Sequence, residues 1–172
     1  MHHRLTLLLT VLLLPYSVAM AQSGQEISLP MAQEGAGGYY LRGVFTGGIE
    51  SELLVDTGSS YVVLSRETFQ GLKREGSVVY RRAIQGNTAA GRRVEAKVYA
   101  VAELVLGEGC ILRDVEAVTL PGADRDILGL SALRQLGSFA IQFEPAMLTV
   151  SVCDSHDNVT LAEIAGELPA PI

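Results

Sequence analysis

The chain has 172 residues, of which 48% are hydrophobic and 19% charged, with 18 glycines, 6 prolines and 2 cysteines. This composition excludes a disordered tail protein, a disulfide-dense mini-protein and a collagen-like repeat, and the length predicts one domain with its own core. The formal net charge is −6 and the lysines and arginines are scattered, so we expect no nucleic acid among the partners.

The N-terminus is typical of a secretory signal. Residues 2–4 include positive charge, residues 5–14 form an apolar run, and Ala19-Met20-Ala21 has small residues on both sides of Met20. This order predicts a signal peptide over residues 1–21 and export to the periplasm or out of the cell. The run is shorter than the roughly 20 apolar residues that span a bilayer, so we expect membrane attachment only if the segment is not cleaved.

Short strands dominate the next part of the chain. Residues 22–37 are polar and glycine-rich with no apolar period, which predicts a flexible leader. The Gly47-Gly48 pair between two apolar runs predicts a tight hairpin. The predicted elements are strands at 39–45, 49–55 and 60–65, followed by one or two helical turns at 67–72.

The longest alternation of apolar and polar residues runs from Val94 to Leu106. Apolar side chains occupy the even positions of this stretch, including 102, and most odd positions are polar. A period of two over this span predicts a long, half-buried and bent strand. An earlier strand at 78–84 and the small residues at 85–91 complete a predicted projecting hairpin with a mobile tip.

The remaining elements complete a mostly β domain. Residues 131–136 predict a helix with Ser131 as its N-cap and Gly137 as its end. The tail at 154–172 is polar and then proline-rich, and we expect it to be frayed. The other predicted elements are a strand at 111–120 and a hairpin of strands 139–143 and 147–152. Strands so short and numerous favour a closed or nearly closed sheet with one or two short helices.

The cysteines and the motifs that are missing narrow the chemistry. Cys110 and Cys153 are candidates for a disulfide in an oxidising compartment, but the sequence gives no distance between them. Neither lies in a Cys-x-x-Cys or Cys/His pattern, so we expect no metal site. The chain also lacks Gly-x-Ser-x-Gly, His-Glu-x-x-His and the glycine-rich nucleotide motifs, so we expect no cofactor.

The candidate for chemistry is an acid that directly follows an apolar strand. The segment Leu53-Leu54-Val55 leads into Asp56, Thr57, Gly58 and Ser59, which predicts a carboxylate at a tight, buried turn. An ordinary strand-ending turn is the alternative, because Asp and Gly are common in turns. Far downstream, Asp126-Ile127-Leu128-Gly129 places an apolar pair and a glycine just before the predicted helix.

With the hairpin between these two motifs, the chain resembles the retropepsin-like aspartic proteases, in particular their single-lobed bacterial members. The resemblance covers about residues 38–152 and implies a protease domain over 38–153, built as a closed or nearly closed β-barrel of the retropepsin-like acid protease type. Viral members carry an arginine after the second motif where this chain has Leu130. The ion pair that supports the viral dimer is therefore not expected here.

The resemblance also implies a role for each motif residue. Asp56 is the implied catalytic residue. In the family pattern the Thr57 hydroxyl joins the two loops of a dimer, Gly58 brings backbone N–H groups to the carboxylates, and Ser59 donates to Asp56. The implied flap and substrate-binding residues are Gln85, Gly86, Asn87 and Thr88, and the implied second apolar-glycine motif is Ile127, Leu128 and Gly129.

One motif per chain has a consequence for the assembly. Aspartic proteases use two carboxylates that share one proton, and this chain has one Asp-Thr-Gly. The resemblance therefore implies an exported endopeptidase that acts on peptide or protein substrates as a homodimer, with Asp56 of each copy at the two-fold axis. Two alternatives stay open: a non-catalytic peptide-binding or envelope interaction module on the same fold, and a structural β-domain in which Asp56 caps a turn.

Overall fold

A computed structural model of the protein describes residues 26–35, 37–87 and 91–154. The predicted signal peptide at 1–21, Thr88 at the hairpin tip and the predicted frayed tail beyond Asp154 lie outside these residues. Within the described ranges, none of the helices combines the length and hydrophobicity that a membrane span requires.

Strands make up most of the described residues, and the helices are short. In chain order the elements are β1 (Ile27–Pro30), β2 (Ala32–Glu34), β3 (Gly38–Phe45), β4 (Ile49–Val55), β5 (Val62–Leu64), α1 (Arg66–Arg74), β6 (Val78–Asn87), β7 (Arg93–Leu106), β8 (Cys110–Thr119), β9 (Asp126–Leu128), α2 (Leu130–Leu133) with a 3-10 turn (Arg134–Leu136), β10 (Phe139–Phe143) and β11 (Ala146–Val150).

The main sheet closes on itself. Its strand order is β2-β3-β4-β9-β5-β8-β7-β6, and β3 also pairs with β7, so that six strands form a ring. A second sheet has the order β1-β11-β10. The predicted mostly β fold with a closed barrel and one or two short helices is confirmed.

Two apolar clusters fill the barrel, and the long strand β7 takes part in both. Its side chains Val101, Leu104 and Leu106 belong to the main core, whereas Ala96 and Val98 belong to the smaller cluster beside the β6–β7 hairpin. The predicted inward position of Ala102 is wrong, because Val101 is buried and Ala102 is exposed, although the even positions on either side are buried as predicted. β7 therefore passes from one cluster to the other along its length.

The leader predicted for residues 22–37 is not flexible throughout. β1 pairs antiparallel with β11 and buries Leu29, and β2 pairs antiparallel with β3. These strands have only four and three residues. The partner of β1 is more than 100 residues away in the chain, so local alternation could not reveal the pairing.

The predicted helix at 131–136 forms one residue earlier, as α2 and the 3-10 turn, and Gly137 ends it with φ 70°. Ser131 is not its N-cap, which is Gly129. The Ser131 hydroxyl instead donates to the Glu116 carbonyl at 2.6 Å and accepts from the Val62 amide at 2.9 Å. Tertiary partners have replaced the local cap.

The two cysteines form a disulfide. Cys110 begins β8 and Cys153 lies just after β11, and their Cα atoms are 5.1 Å apart. The backbone amide of Ile111 also donates to the Asp154 carbonyl at 2.8 Å. The end of the described chain is therefore attached to the barrel wall.

Candidate active site

The Asp-Thr-Gly motif lies in the loop between β4 and β5, and the second motif lies on and after β9. The two motifs meet because β9 is placed between β4 and β5 in the sheet. β9 lies between β4 and β5 and runs parallel to β4, with Leu54 opposite Ile127 and Val55 opposite Leu128. The chain leaves β4 at Asp56, passes around the end of β9 and returns as β5. The Asp-Thr-Gly turn and Gly129 therefore lie at the same edge of the sheet.

Asp56 is held by backbone groups on both sides. Its amide donates to the Leu128 carbonyl at 3.2 Å, and its Oδ1 accepts from the Gly58 amide at 2.8 Å. The side chain is half-buried, and Thr57 and Gly58 are exposed. The predicted buried turn is thus only partly buried, because no residue in the described ranges covers Thr57 and Gly58.

Ser59 supports the loop in a way the sequence did not predict. Its hydroxyl donates to the Tyr61 carbonyl at 2.7 Å and not to Asp56. Its amide donates to the Asp56 carbonyl at 3.2 Å, and its carbonyl accepts from the Leu130 amide at 2.8 Å. Ser59 therefore shapes the turn through local bonds and joins it to the start of α2.

Gly129 of the second motif is in direct contact with this loop. A Cβ atom at this position would lie 2.1 Å from the Tyr61 carbonyl oxygen and 2.8 Å from that of Ser59. Leu128 is fully buried and Ile127 is half-buried in the smaller cluster. The motif thus packs Ile127 and Leu128 into the apolar clusters, and Gly129 leaves room for the Asp56 loop.

Three of the four predicted flap residues lie on a regular strand and not in a flexible connection, and Thr88 lies outside the described residues. Gln85, Gly86 and Asn87 belong to β6, opposite Glu95, Val94 and Arg93 of β7. Gln85 and Asn87 are exposed. Among the described residues, no hydrogen bond connects these three to Asp56. Their proposed contact with substrate stays a prediction.

Asp126, directly before Ile127 of the second motif, is a buried acid whose partners the sequence does not predict. Asp126 is 6% exposed, and its carboxylate accepts from the Ser51 hydroxyl, the Ser65 amide and the Thr68 hydroxyl, each at 2.6 Å. Ser65 is also the N-cap of α1 and accepts from the Thr68 amide at 3.2 Å. Asp126 therefore ties β4, β9 and the start of α1 together.

An ion pair connects the β6–β7 hairpin with β8. Arg82 of β6 pairs with Glu116 of β8 through both guanidinium Nη atoms. The hydrogen bond from Arg82 lowers the pKa of the Glu116 carboxyl, and the same bond raises the pKa of Arg82. Both groups are therefore charged at neutral pH.

The described ranges contain no candidate metal site. No group of three or more His, Cys, Asp or Glu side chains in them is arranged to hold a metal ion. The residues that lie together at the Asp56 turn offer one carboxylate, two hydroxyls and backbone amides. Such a set can activate a water or polarise a carbonyl if a second acid joins it.

Comparisons with known proteins agree with this geometry. A sequence model of the family described as "gag-polyprotein putative aspartyl protease" matches residues 44–135, a range that includes Asp56 and Gly129. A search of curated proteins gives no match. Among solved structures, the chain is similar to a retropepsin-like aspartic protease from Rickettsia conorii, with 22% identity and a TM-score of 0.53 over 73% of this chain and 91% of that one. This likeness shows a shared fold.

Proposed function

Because the chain belongs to the gag-polyprotein aspartyl protease family, a group of retropepsin-like aspartic proteases, we propose that it is an exported endopeptidase. It hydrolyses peptide bonds with water, and its active site forms between two copies of the chain. Asp56 is the catalytic residue of each copy.

The half-buried Asp56 turn is the observation that carries this proposal. The carboxylate follows a strand, accepts a backbone bond from Gly58, and lies beside the exposed Thr57. The other acid of the motif region, Asp126, is opposite Leu53 in the parallel ladder and already accepts three hydrogen bonds. Asp126 therefore does not serve as the second catalytic acid, and a second copy of Asp56 is the natural partner.

Two such carboxylates at a two-fold axis would share a proton. At a separation of about 3 Å and an effective dielectric near 20, two charges repel by about 5 kcal/mol. This repulsion opposes the loss of the second proton, so the two carboxyl groups hold one proton in common. One acid then acts as a base toward water while the protonated acid polarises the peptide carbonyl.

The apolar surface near the loop indicates the substrate class. Ile127 follows Asp126 toward the active loop, and it shares the smaller cluster with Ile84 of β6 and with Leu120, all three only partly buried. Apolar side chains of an extended peptide would cover this surface. We therefore propose a preference for hydrophobic residues around the cleaved bond.

Export is supported by two features of the chain. Residues 1–21 have the order of a signal peptide. The Cys110–Cys153 disulfide suits an oxidising compartment, where such bonds persist. We propose the periplasm or the outside of the cell as the place of action.

The test is cleavage of a diverse peptide library by the chain from residue 22 onward, at several pH values from acidic to neutral. Wild type should cut, and Asp56→Asn, which keeps the size of the side chain, should be folded and inactive. Asp124→Asn is the matched control, because it makes the same change at an exposed acid. Equal cleavage by Asp56→Asn and wild type would contradict the proposed mechanism.

A further inference from the structure

Arg82 joins the β6–β7 hairpin to the segment that follows the Asp56 turn. Its Nη1 and Nη2 atoms donate to the two carboxylate oxygens of Glu116, and the Nη2 to Oε2 distance is 2.9 Å. Nη2 also donates to the Tyr61 hydroxyl at 3.3 Å. Tyr61 lies two residues after Ser59, whose hydroxyl is bonded to the Tyr61 carbonyl. One guanidinium thus contacts β8 and the catalytic loop together.

The backbone of Glu116 extends the same connection to the second motif. Its carbonyl accepts from the Ser131 hydroxyl at 2.6 Å, and that hydroxyl accepts from the Val62 amide at 2.9 Å. Ser131 belongs to α2, which begins directly after Gly129. The hairpin, the loop after Asp56 and the helix after Gly129 therefore share one chain of hydrogen bonds.

A bulge in β6 gives the hairpin two arginines on one side. The β6–β7 register shifts between Tyr80 and Arg82, so Arg81 is the extra residue. Successive strand residues normally point to opposite faces, and a bulge changes this direction. Arg81 accordingly reaches Asp114 at 2.8 Å while Arg82 reaches Glu116, two residues further along β8.

We propose that Arg82 is a positioning residue, which holds the β6–β7 hairpin against the catalytic loop through Glu116 and Tyr61. A bidentate guanidinium pair fixes orientation as well as distance, which a lysine ammonium does not. Tyr61 also packs in the smaller cluster with Ile84 and Ile127. A shift of the hairpin would therefore move the apolar surface that the substrate is proposed to contact. The kinetic part of this inference rests on the proposed function, whereas the placement of the hairpin does not.

Amide hydrogen exchange of the whole exported chain tests the placement without any substrate. Arg82→Lys should speed exchange at residues 84–87 and 93–96 about three- to fivefold, the size expected for one well-oriented surface pair. Tyr61→Phe should give about a twofold change, and the double variant should exchange no faster than Arg82→Lys, because the Tyr61 hydroxyl acts through Arg82. Thermal stability of the whole domain should be nearly unchanged.

Arg81→Lys is the matched control. It makes the same change in the neighbouring residue, which also forms an ion pair with β8 but has no bond to Tyr61. Its hairpin exchange should change less than twofold. Equal effects of the two lysine variants, or no effect of Arg82→Lys, would overturn the positioning role.

Kinetics separate this inference from the proposed function. On a peptide that wild type cleaves, Arg82→Lys should raise KM about threefold and leave kcat within twofold, and Arg81→Lys should change neither. Wild type that cleaves no peptide would contradict the proposed function and leave the exchange result to decide on Arg82. An active enzyme with unchanged hairpin exchange and unchanged KM in Arg82→Lys would contradict the role of Arg82 alone.

Discussion

Individual residues show most clearly what the Asp56 turn requires. The turn is built from a carboxylate that accepts from Gly58 and a serine that bonds within the loop, and it packs against Gly129, which lies between β9 and α2. Gly129 has the narrowest tolerance of these, since the carbonyl oxygens of Ser59 and Tyr61 occupy the space of a side chain. A single methyl group there would displace the loop that holds Asp56.

We therefore expect Gly129→Ala to lower the free energy of unfolding by about 3 kcal/mol, because overpacking against backbone leaves no flexible side chain to move. Urea denaturation measures this. Gly86→Ala is the control, since nothing lies within 4 Å of an added Cβ and its change should stay below about 1 kcal/mol. Equal stability of the two variants would show that the loop adapts freely around residue 129.

Sequence patterns identified the residues whose role is local and missed those whose partners are distant. Asp56 and Gly129 could be found because each follows an apolar strand within a short motif. The Ser131 hydroxyl was expected to cap its own helix, yet its partners are Glu116 of β8 and Val62 of β5. The donors of Asp126 come from β4, the end of β5 and α1, which no spacing in the sequence brings together.

At the scale of elements, strong local signals were sufficient to predict the β3–β4 hairpin and the long strand β7. Gly47 and Gly48 adopt φ of 86° and 75°, which only a turn of small residues tolerates, and they close the predicted hairpin of β3 and β4. The alternation along β7 likewise predicted its length. β1 and β2 gave no such signal, because neither is longer than two full periods of the pleat. β1 pairs with the distant β11, and β2 pairs with β3.

The Arg82–Glu116 pair, which attaches the β6–β7 hairpin to β8, makes the stability of the protein depend on pH. Arg82 lowers the folded-state pKa of Glu116 below its ordinary value of about 4.3. A carboxyl with a lowered folded pKa adds stability above the unfolded pKa, and that stability is lost as the pH falls through the folded pKa. Wild type should therefore be more thermally stable than Glu116→Gln above about pH 5, and the difference should shrink steadily below about pH 4. A difference that grows as the pH falls would contradict the assigned sign.

At the scale of the whole molecule, the disulfide connects the barrel to the end of the described chain. Cys110 and Cys153 are separated by 43 residues, and closing a loop of that size stabilises a protein by about 4 kcal/mol in the chain-entropy account. Replacing both cysteines with serine should lower the free energy of unfolding by up to about that amount, as measured in urea. An unchanged unfolding midpoint at unchanged slope would show that the bridge adds nothing to the native state.

The closed barrel could be predicted from the number of strands and from the resemblance of the two motifs, and the structure confirms it. The proposed assembly of two copies could not be predicted in the same way. One chain contains one Asp-Thr-Gly, with Thr57 and Gly58 exposed next to Asp56. The proposed covering of that turn by a second copy depends on surface complementarity, which neither the pattern of the sequence nor a single chain contains.

Subunit mixing tests the central claim most directly. A fixed amount of wild type is combined with increasing Asp56→Asn chain under conditions that allow exchange of subunits, and cleavage of one peptide is followed. If each site needs Asp56 from two copies, an equal amount of the variant should lower the activity to about half and a ninefold excess to about one tenth, since mixed pairs lack one acid. Activity that stays constant at every ratio would contradict a shared site and assign the chemistry to the single chain.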